Sequence, residues 1–296
     1  MVRKLLEIKE IITERLKTSP IKIISAAMYG SWARGIQTED SDIDVLLVSD
    51  EIDFKRHRRG KEVAQIKEWL SMGIPIDILF LTTDECISNF KNHNPLFLDI
   101  ATEGIMLIDD NVFLQGLMEE TRVYIGSRRL EKLVDGWRFP VLYREPTFLS
   151  SVSNKDFATV MIADAERDLN IGVNITEDGY FDKAVYHFQQ AVEKAVKAVL
   201  IAFGEFKKTH FVGEILLEKL KTVEIDGEWK DKLLNAAKIS NEIEPEVTWS
   251  RYPGIDRGQL WVPYEEYTMD DAVEIRGKAE MALKMAKDFI QWWFNE

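Results

Sequence analysis

Two patterns of apolar and polar positions divide this chain. In its first third, apolar positions come mostly as short runs, at 21–29, 42–48, 74–81 and 105–108, separated by polar or glycine-containing stretches. Runs of that length, bounded by turn residues, predict buried strands. Residues 1–16 differ. Leu5, Ile8, Ile12 and Leu16 recur at helical spacing among charges, which predicts an amphipathic helix and not a signal peptide. Thr83-Asp84-Glu85 reads as a helix start, and a longer helical pattern runs from 112 to about 134.

After residue 153 the strand pattern gives way to a helical one. Helices are predicted over 156–170, 180–203, 209–222, 229–242 and 268–293. The clearest is 180–203, where Phe181, Ala184, Val185, Phe188, Ala191, Val192, Ala195, Val199 and Leu200 share one face and Gly204 ends the pattern. Thr176-Glu177-Asp178-Gly179 reads as a turn, and Thr268-x-x-Asp271 as a capping box. Helices joined by short links make an antiparallel bundle. Residues 136–153 hold Pro140, Pro146 and four serines or threonines, and read as a linker. The expected fold class is therefore an α+β domain over 1–135 followed by an all-α antiparallel bundle over 154–296.

Composition narrows the function. The chain has 296 residues, a length that suits two domains, and no run of eighteen apolar residues. A single Cys86 excludes an internal disulfide and fits a reducing cytoplasm. Four scattered histidines have no zinc-like spacing. The net charge of −13 divides into −4 over residues 1–150 and −9 over 151–296, which argues against a general nucleic-acid binder. The exception is the basic cluster Lys55-Arg56-His57-Arg58-Arg59-Gly60-Lys61. It lies eleven residues beyond Asp44, at ~3.3 Å per extended residue, and reads as a solvated loop and helix start rather than a phosphate contact.

The candidate chemistry sits in Gly30-Ser31-Trp32-Ala33-Arg34-Gly35 and Ser41-Asp42-Ile43-Asp44. Gly30 ends a strand, where a missing Cβ lets backbone amides approach a ligand, and a short helical turn would aim those amides at an anion. Asp42 and Asp44, two residues apart on the next strand, point the same way. Two adjacent carboxylates repel unless a cation lies between them, and Mg²⁺ prefers one or two carboxylates plus phosphate oxygens. Asp77 is the only charge in its apolar run, a costly placement unless it is paired or binds metal. A D-x-D or a Gly-Ser pair alone is a commonplace of turns and loops. The order strand, Gly-Ser turn, D-x-D, helix, strand with one aspartate favours a site. Arg34 either reaches phosphate or braces the turn by pairing with an acid such as Asp40.

Those residues resemble the signature of the minimal nucleotidyltransferases of the DNA polymerase β superfamily, over about the first hundred residues. The resemblance implies a mixed sheet flanked by helices. It implies that Gly30 and Ser31 contact the triphosphate, that Asp42 and Asp44 hold Mg²⁺, two ions in all, and that Asp77 completes the catalytic triad. It also implies transfer of a nucleoside monophosphate from a nucleoside triphosphate to a hydroxyl, with release of pyrophosphate.

The segment 186–198, then Lys208-Thr209-His210, then Arg251-Tyr252-Pro253, resembles the HEPN family of helical bundles. HEPN domains often accompany minimal nucleotidyltransferases as partner chains, and many are ribonucleases that use an arginine followed a few residues on by a histidine. Arg251 has no such histidine after it, which disfavours RNA cleavage. Lys194, His210, Arg251 and Tyr252 are candidates for a substrate or nucleotide pocket. They also have structural readings: a solvated helix charge, a cap histidine, and a buried arginine–carboxylate pair beside a packed tyrosine. The expectation is a Mg²⁺-dependent, cytoplasmic nucleotidyltransferase acting on a hydroxyl of a small molecule or a protein, without membrane or nucleic-acid partners. Its rivals are a toxin–antitoxin-type enzyme that nucleotidylates protein, and a nucleotide-binding regulator with little turnover. A homodimer accords with the resemblance, although no spacing shows one.

Overall fold

The computed structural model describes residues 2–295; Met1 and Glu296, which the expected domains include, lie outside the described residues. The chain divides into two compact units, Met1–Arg129 and Leu130–Glu296.

The first unit is an α+β layer structure. Its elements are α1 (Val2–Lys17), β1 (Ser25–Tyr29), α2 (Gly30–Arg34), β2 (Ile43–Val48), α3 (Gly60–Leu70), β3 (Ile76–Leu81), α4 (Thr83–Lys91), α5 (Pro95–Glu103), β4 (Ile105–Asp109) and α6 (Phe113–Arg128). The sheet order is β3-β2-β1-β4. β2 and β3 run parallel, while β1 pairs antiparallel with β2 and with β4, so the sheet is mixed. Strand alternation sorts the side chains into two cores. Ala26, Met28, Ile43, Val45, Leu47, Ile76 and Phe80 pack with Ile8, Ile12 and Leu16 of α1 and Ile66 and Leu70 of α3. On the other face, Ala27, Tyr29, Leu46, Val48 and Leu81 pack with Cys86 and Phe90 of α4, Phe97 and Ile100 of α5, and Leu114 and Met118 of α6.

Local chemistry fixes the helix starts. Thr82 and Glu85 form a reciprocal capping box on α4. Asp109, at the end of β4, accepts from Ser25 Oγ at 2.7 Å and from the amides of Leu114 and Gln115 at 2.8 and 2.9 Å, so one carboxylate joins the sheet to α6. The basic cluster is exposed except for Arg59, which is buried. Arg59 donates to the carbonyls of Asp53, Phe80 and Phe54 and to Glu85 Oε2 at 2.6 Å. Its role is to clamp the chain between β2 and α3, which sequence spacing does not reveal.

The second unit holds five long helices: α7 (Asn154–Glu177), α8 (Phe181–Ala202), α9 (Gly213–Thr222), α10 (Gly227–Ile243) and, at its end, Met269–Trp293. The expected face of α8 is its buried side, with Phe181 at the margin. Thr268 and Asp271 form the anticipated capping box. Small strands accompany the bundle: β5 (Glu131–Leu133), β6 (Gly136–Arg138) and β7 (Glu205–Lys207) form one sheet, and β8 (Gly254–Asp256) pairs with β9 (Gln259–Trp261). Short helices α11 (Glu246–Trp249) and α12 (Pro263–Glu266) flank that hairpin, which makes the last long helix α13.

Three boundaries differ from the sequence reading, each for a tertiary reason. The helix expected to reach 134 ends at Arg128, because Glu131–Leu133 and Gly136–Arg138 pair as strands and β6 pairs onward with β7. Arg138 joins Glu131 and Glu205 across that sheet, inside the stretch read as a linker. α7 continues past 170 to Glu177, with Gly172 seated against the Phe188 ring and Thr176 Oγ1 bonding the Gly172 carbonyl. α9 begins at Gly213 and not at 209, because its first amides, on Val212 and Gly213, are taken by Glu244 Oε1 from beyond α10. Among the described residues no helix is long and apolar enough to cross a membrane.

Two stability predictions follow from these buried charges. Arg59→Ala removes the side-chain donor to three carbonyls and the 2.6 Å ion pair of Glu85 and is expected to cost about 3 kcal/mol, against near zero for Arg58→Ala, by urea unfolding. Glu205 is buried against Lys219, Arg138 and Lys207. Burial alone would raise its pKa, but these cations, led by the Lys219 hydrogen bond, hold it below the ordinary value. Its contribution is therefore complete above pH 4.5, the ordinary glutamate value, and is lost as pH falls through the lower folded value. Glu205→Gln is expected to flatten that acid limb in pH-dependent unfolding.

Candidate active site

The site is built on the ends of β1, β2 and β3. Tyr29 pairs with Asp44 across the antiparallel β1–β2 ladder, and Asp44 pairs with Asp77 across the parallel β2–β3 ladder. Asp42, two residues before Asp44, shares its face. The three acids therefore continue the face that carries Leu46, Val48 and Leu81, past the end of its apolar stretch. Asp44 is half-buried and Asp42 exposed, and the Asp77 side chain is 61% exposed, 3.7 Å from Lys67 Nζ. The three carboxylates also act on Tyr29. Burial first, then Asp44, Asp77 and Asp42, pushes its phenol well above the ordinary tyrosine range, so Tyr29 stays neutral beside the acids.

α2 begins directly after β1. Gly30 has φ +73°, and a Cβ there would lie 2.0 Å from Asp44 Oδ2. A side chain is thus excluded both by backbone conformation and by the carboxylate. Ser31 follows in the first turn. Gly35, at φ +71°, ends the helix, with Gly35 N–H donating to the Trp32 carbonyl and Ile36 N–H to the Ser31 carbonyl, as in a Schellman cap. Trp32 is buried, and its Nε1 donates to the Ser41 carbonyl at 3.1 Å. That bond ties the Gly-Ser helix to the residue preceding Asp42. Arg34 pairs with Glu103 at 3.2 Å, at the end of α5; the acid is Glu103 and not Asp40.

Donor chemistry fits a hard divalent cation. The set is carboxylate oxygens, and a lysine ammonium already rests on one of them. Among the described residues no three metal-ligating side chains are drawn together tightly enough to hold an ion by themselves. Mg²⁺ takes only one or two protein carboxylates and completes its shell with phosphate oxygens and water, and acids beside the start of a helix suit that mode.

The pocket candidates of the second unit occupy separate environments. Lys194 lies between Asp164 and Asp168 at 2.6 and 2.5 Å. Burial alone would lower its pKa, but these two acids hold it above the ordinary lysine value. Asp168 also meets His187 Nδ1 at 3.0 Å. His210 Nδ1 meets buried Glu193 at 3.0 Å, together with Lys197 and Gln190. Arg251 is exposed and stacked on Tyr186 and Tyr252, 5.0 and 4.9 Å from the ring centres, so it is no buried arginine–carboxylate pair. Tyr252 lines an open cleft of about 440 Å³ with Thr248, Trp249, Asp256 and Trp261.

Sequence reasoning missed Tyr29, Trp32, Lys67 and Arg59. Tyr29 was legible in principle, since it precedes Gly30 on a strand that must flank Asp44; Lys67 left no local signal.

At Gly30, Gly30→Ala is expected to cost at least about 1 kcal/mol from the left-handed backbone alone, and more from displacing Asp44. Trp32→Phe, losing one hydrogen bond, is expected to cost about 1 kcal/mol. Urea unfolding of both variants checks the order.

Comparison with known proteins identifies the two domains. The Nucleotidyltransferase domain family matches residues 6–104 and the HEPN domain family matches residues 158–296. A protein of Methanocaldococcus jannaschii named "Putative toxin MJ1304" is 38% identical over 138 residues, covering 47% of this chain and 91% of that protein. A second protein of that organism, named "Putative protein adenylyltransferase MJ1379", is 35% identical over 109 residues, 36% of this chain and 100% of the relative. Among solved structures, an archaeal HEPN homologue is 28% identical with a TM-score of 0.34, covering 45% of this chain and 97% of its own. The chain thus belongs to the nucleotidyltransferase and HEPN families, with a domain of each in one polypeptide.

Proposed function

We propose that this protein is a Mg²⁺-dependent nucleotidyltransferase that moves a nucleoside monophosphate from a nucleoside triphosphate to a hydroxyl, releasing pyrophosphate. The observation that carries the reading is the register Asp44↔Asp77, with Asp42 on the same face and Gly30 held against Asp44. Asp42, Asp44 and Asp77 would hold two Mg²⁺ ions, whose charge offsets that of the triphosphate and the departing pyrophosphate. The Gly30 and Ser31 amides, at the start of α2, receive phosphate oxygens. Arg34 braces the far end of α2 through Glu103, and reaches the nucleotide only by leaving that pair.

The acceptor oxygen attacks the α-phosphorus in line. The bond from that phosphorus to the α–β bridging oxygen breaks, pyrophosphate leaves, and the hydroxyl proton passes to a carboxylate of the set. Most of the rate then comes from alignment and charge placement. Two relatives, each named "Putative protein adenylyltransferase", at 35% and 32% identity, favour ATP as donor and a protein hydroxyl as acceptor over a small molecule. The HEPN domain serves as the substrate-side or dimerising module. A single cysteine, Cys86, fits a reducing cytoplasm.

Pyrophosphate release with Mg²⁺ and each of the four ribonucleoside triphosphates, with intact protein masses read in the same tubes, tests the proposal. Release is expected to be greatest with ATP, with a mass gain of one nucleoside monophosphate on this chain or on an added partner. Both are expected to vanish in Asp42→Ala/Asp44→Ala. Nucleotide binding without release or adduct in any tube would contradict turnover.

A further inference from the structure

β3 is the edge strand of the sheet, so Asp77 stands where both faces can be reached. Its side chain belongs to the face packed by α4, α5 and α6, whereas α3 packs the opposite face through Ile66 and Leu70. Lys67 follows Ile66 on α3, and its side chain passes round the open edge to place Nζ 3.7 Å from Asp77 Oδ1. Asp77 Oδ1 also accepts from the Ile78 amide at 3.1 Å, which sets the carboxylate's orientation. Both members of the pair are about half exposed, 45% for Lys67 and 61% for Asp77. Lys61, on the same helix, is exposed and has no ion pair among the described residues.

We infer that Lys67 is a positioning residue for the third carboxylate: its ammonium holds Asp77 until a divalent cation displaces it, and so sets the cation concentration the site requires. The inference rests on the metal-holding role proposed above for the three acids. Two facts support competition and not simple support. The ammonium already stands 3.7 Å from Asp77 Oδ1, and a second cation at that oxygen would meet a like charge. The pair is also long and solvated, which makes it weak enough to yield. A lysine with only a structural task would sit deeper or bond tighter, as Arg59 does with its carbonyls.

Mn²⁺ binding to the full chain, followed by the loss of the free-ion electron paramagnetic resonance signal, tests this without turnover. Lys67→Met is expected to bind Mn²⁺ about two- to fivefold more tightly than wild type, the range of an exposed ion pair. Lys67→Arg is expected to restore the wild-type value, and Lys61→Met to leave it unchanged. In an Asp77→Asn background the Lys67→Met gain is expected to disappear, because the two residues act through one contact. Equal or weaker binding in Lys67→Met overturns the inference, as does the same gain from Lys61→Met, which would mark a general charge effect. Binding lost in Asp44→Asn but indifferent to Lys67 overturns this inference alone. A wild type that binds no better than Asp44→Asn removes the metal site and the inference together.

Discussion

Like charges placed side by side govern this molecule. Parallel pairing sets Asp44 directly against Asp77, with Asp42 two residues away on the same face. Like charges on paired positions of one sheet face are unfavourable neighbours. β1 and β2 are buried through most of their length, so the register cannot slip without moving every apolar side chain to the wrong face. Tyr29 stays neutral beside the acids, and Lys67 meets only the outermost of them.

The second unit treats its charges in the opposite way. Glu193, Glu205, Glu244 and Asp168 are buried, and each is engaged by cations, amides or a histidine that tie separate parts of the fold together. Lys194 and His210 belong to those ties. Arg251 and Tyr252, by contrast, stand at an exposed aromatic surface beside an open cleft. The first unit thus carries neighbouring acids on one sheet face, and the second a bundle whose buried carboxylates are engaged.

Much of this was legible from sequence, for identifiable reasons. Short apolar runs bounded by turn residues gave the strands, and glycine placement with strand alternation gave the Gly30–Asp44 neighbourhood. Helical periodicity gave α8 and α13, and side-chain chemistry gave the Thr268 cap. What stayed hidden depends on partners distant in sequence: β5 and β6 become strands because β7 offers an edge, α9 waits for Glu244, and Arg59 is engaged by Phe80 of β3 and Glu85 of α4. Lys67 is the sharpest case in the site. No local pattern marks a lysine that must pass round a sheet edge to reach its acid.

The most direct measurement follows the phosphorus. ATP labelled at the α position and ATP labelled at the γ position are each incubated with Mg²⁺, the protein and a partner extract. The account predicts that α label ends covalently on the acceptor and γ label leaves entirely in pyrophosphate. Finding γ label on the acceptor, or γ label released as inorganic phosphate while α label stays in ADP, would contradict it, because either result breaks the β–γ bond and not the α–β bond.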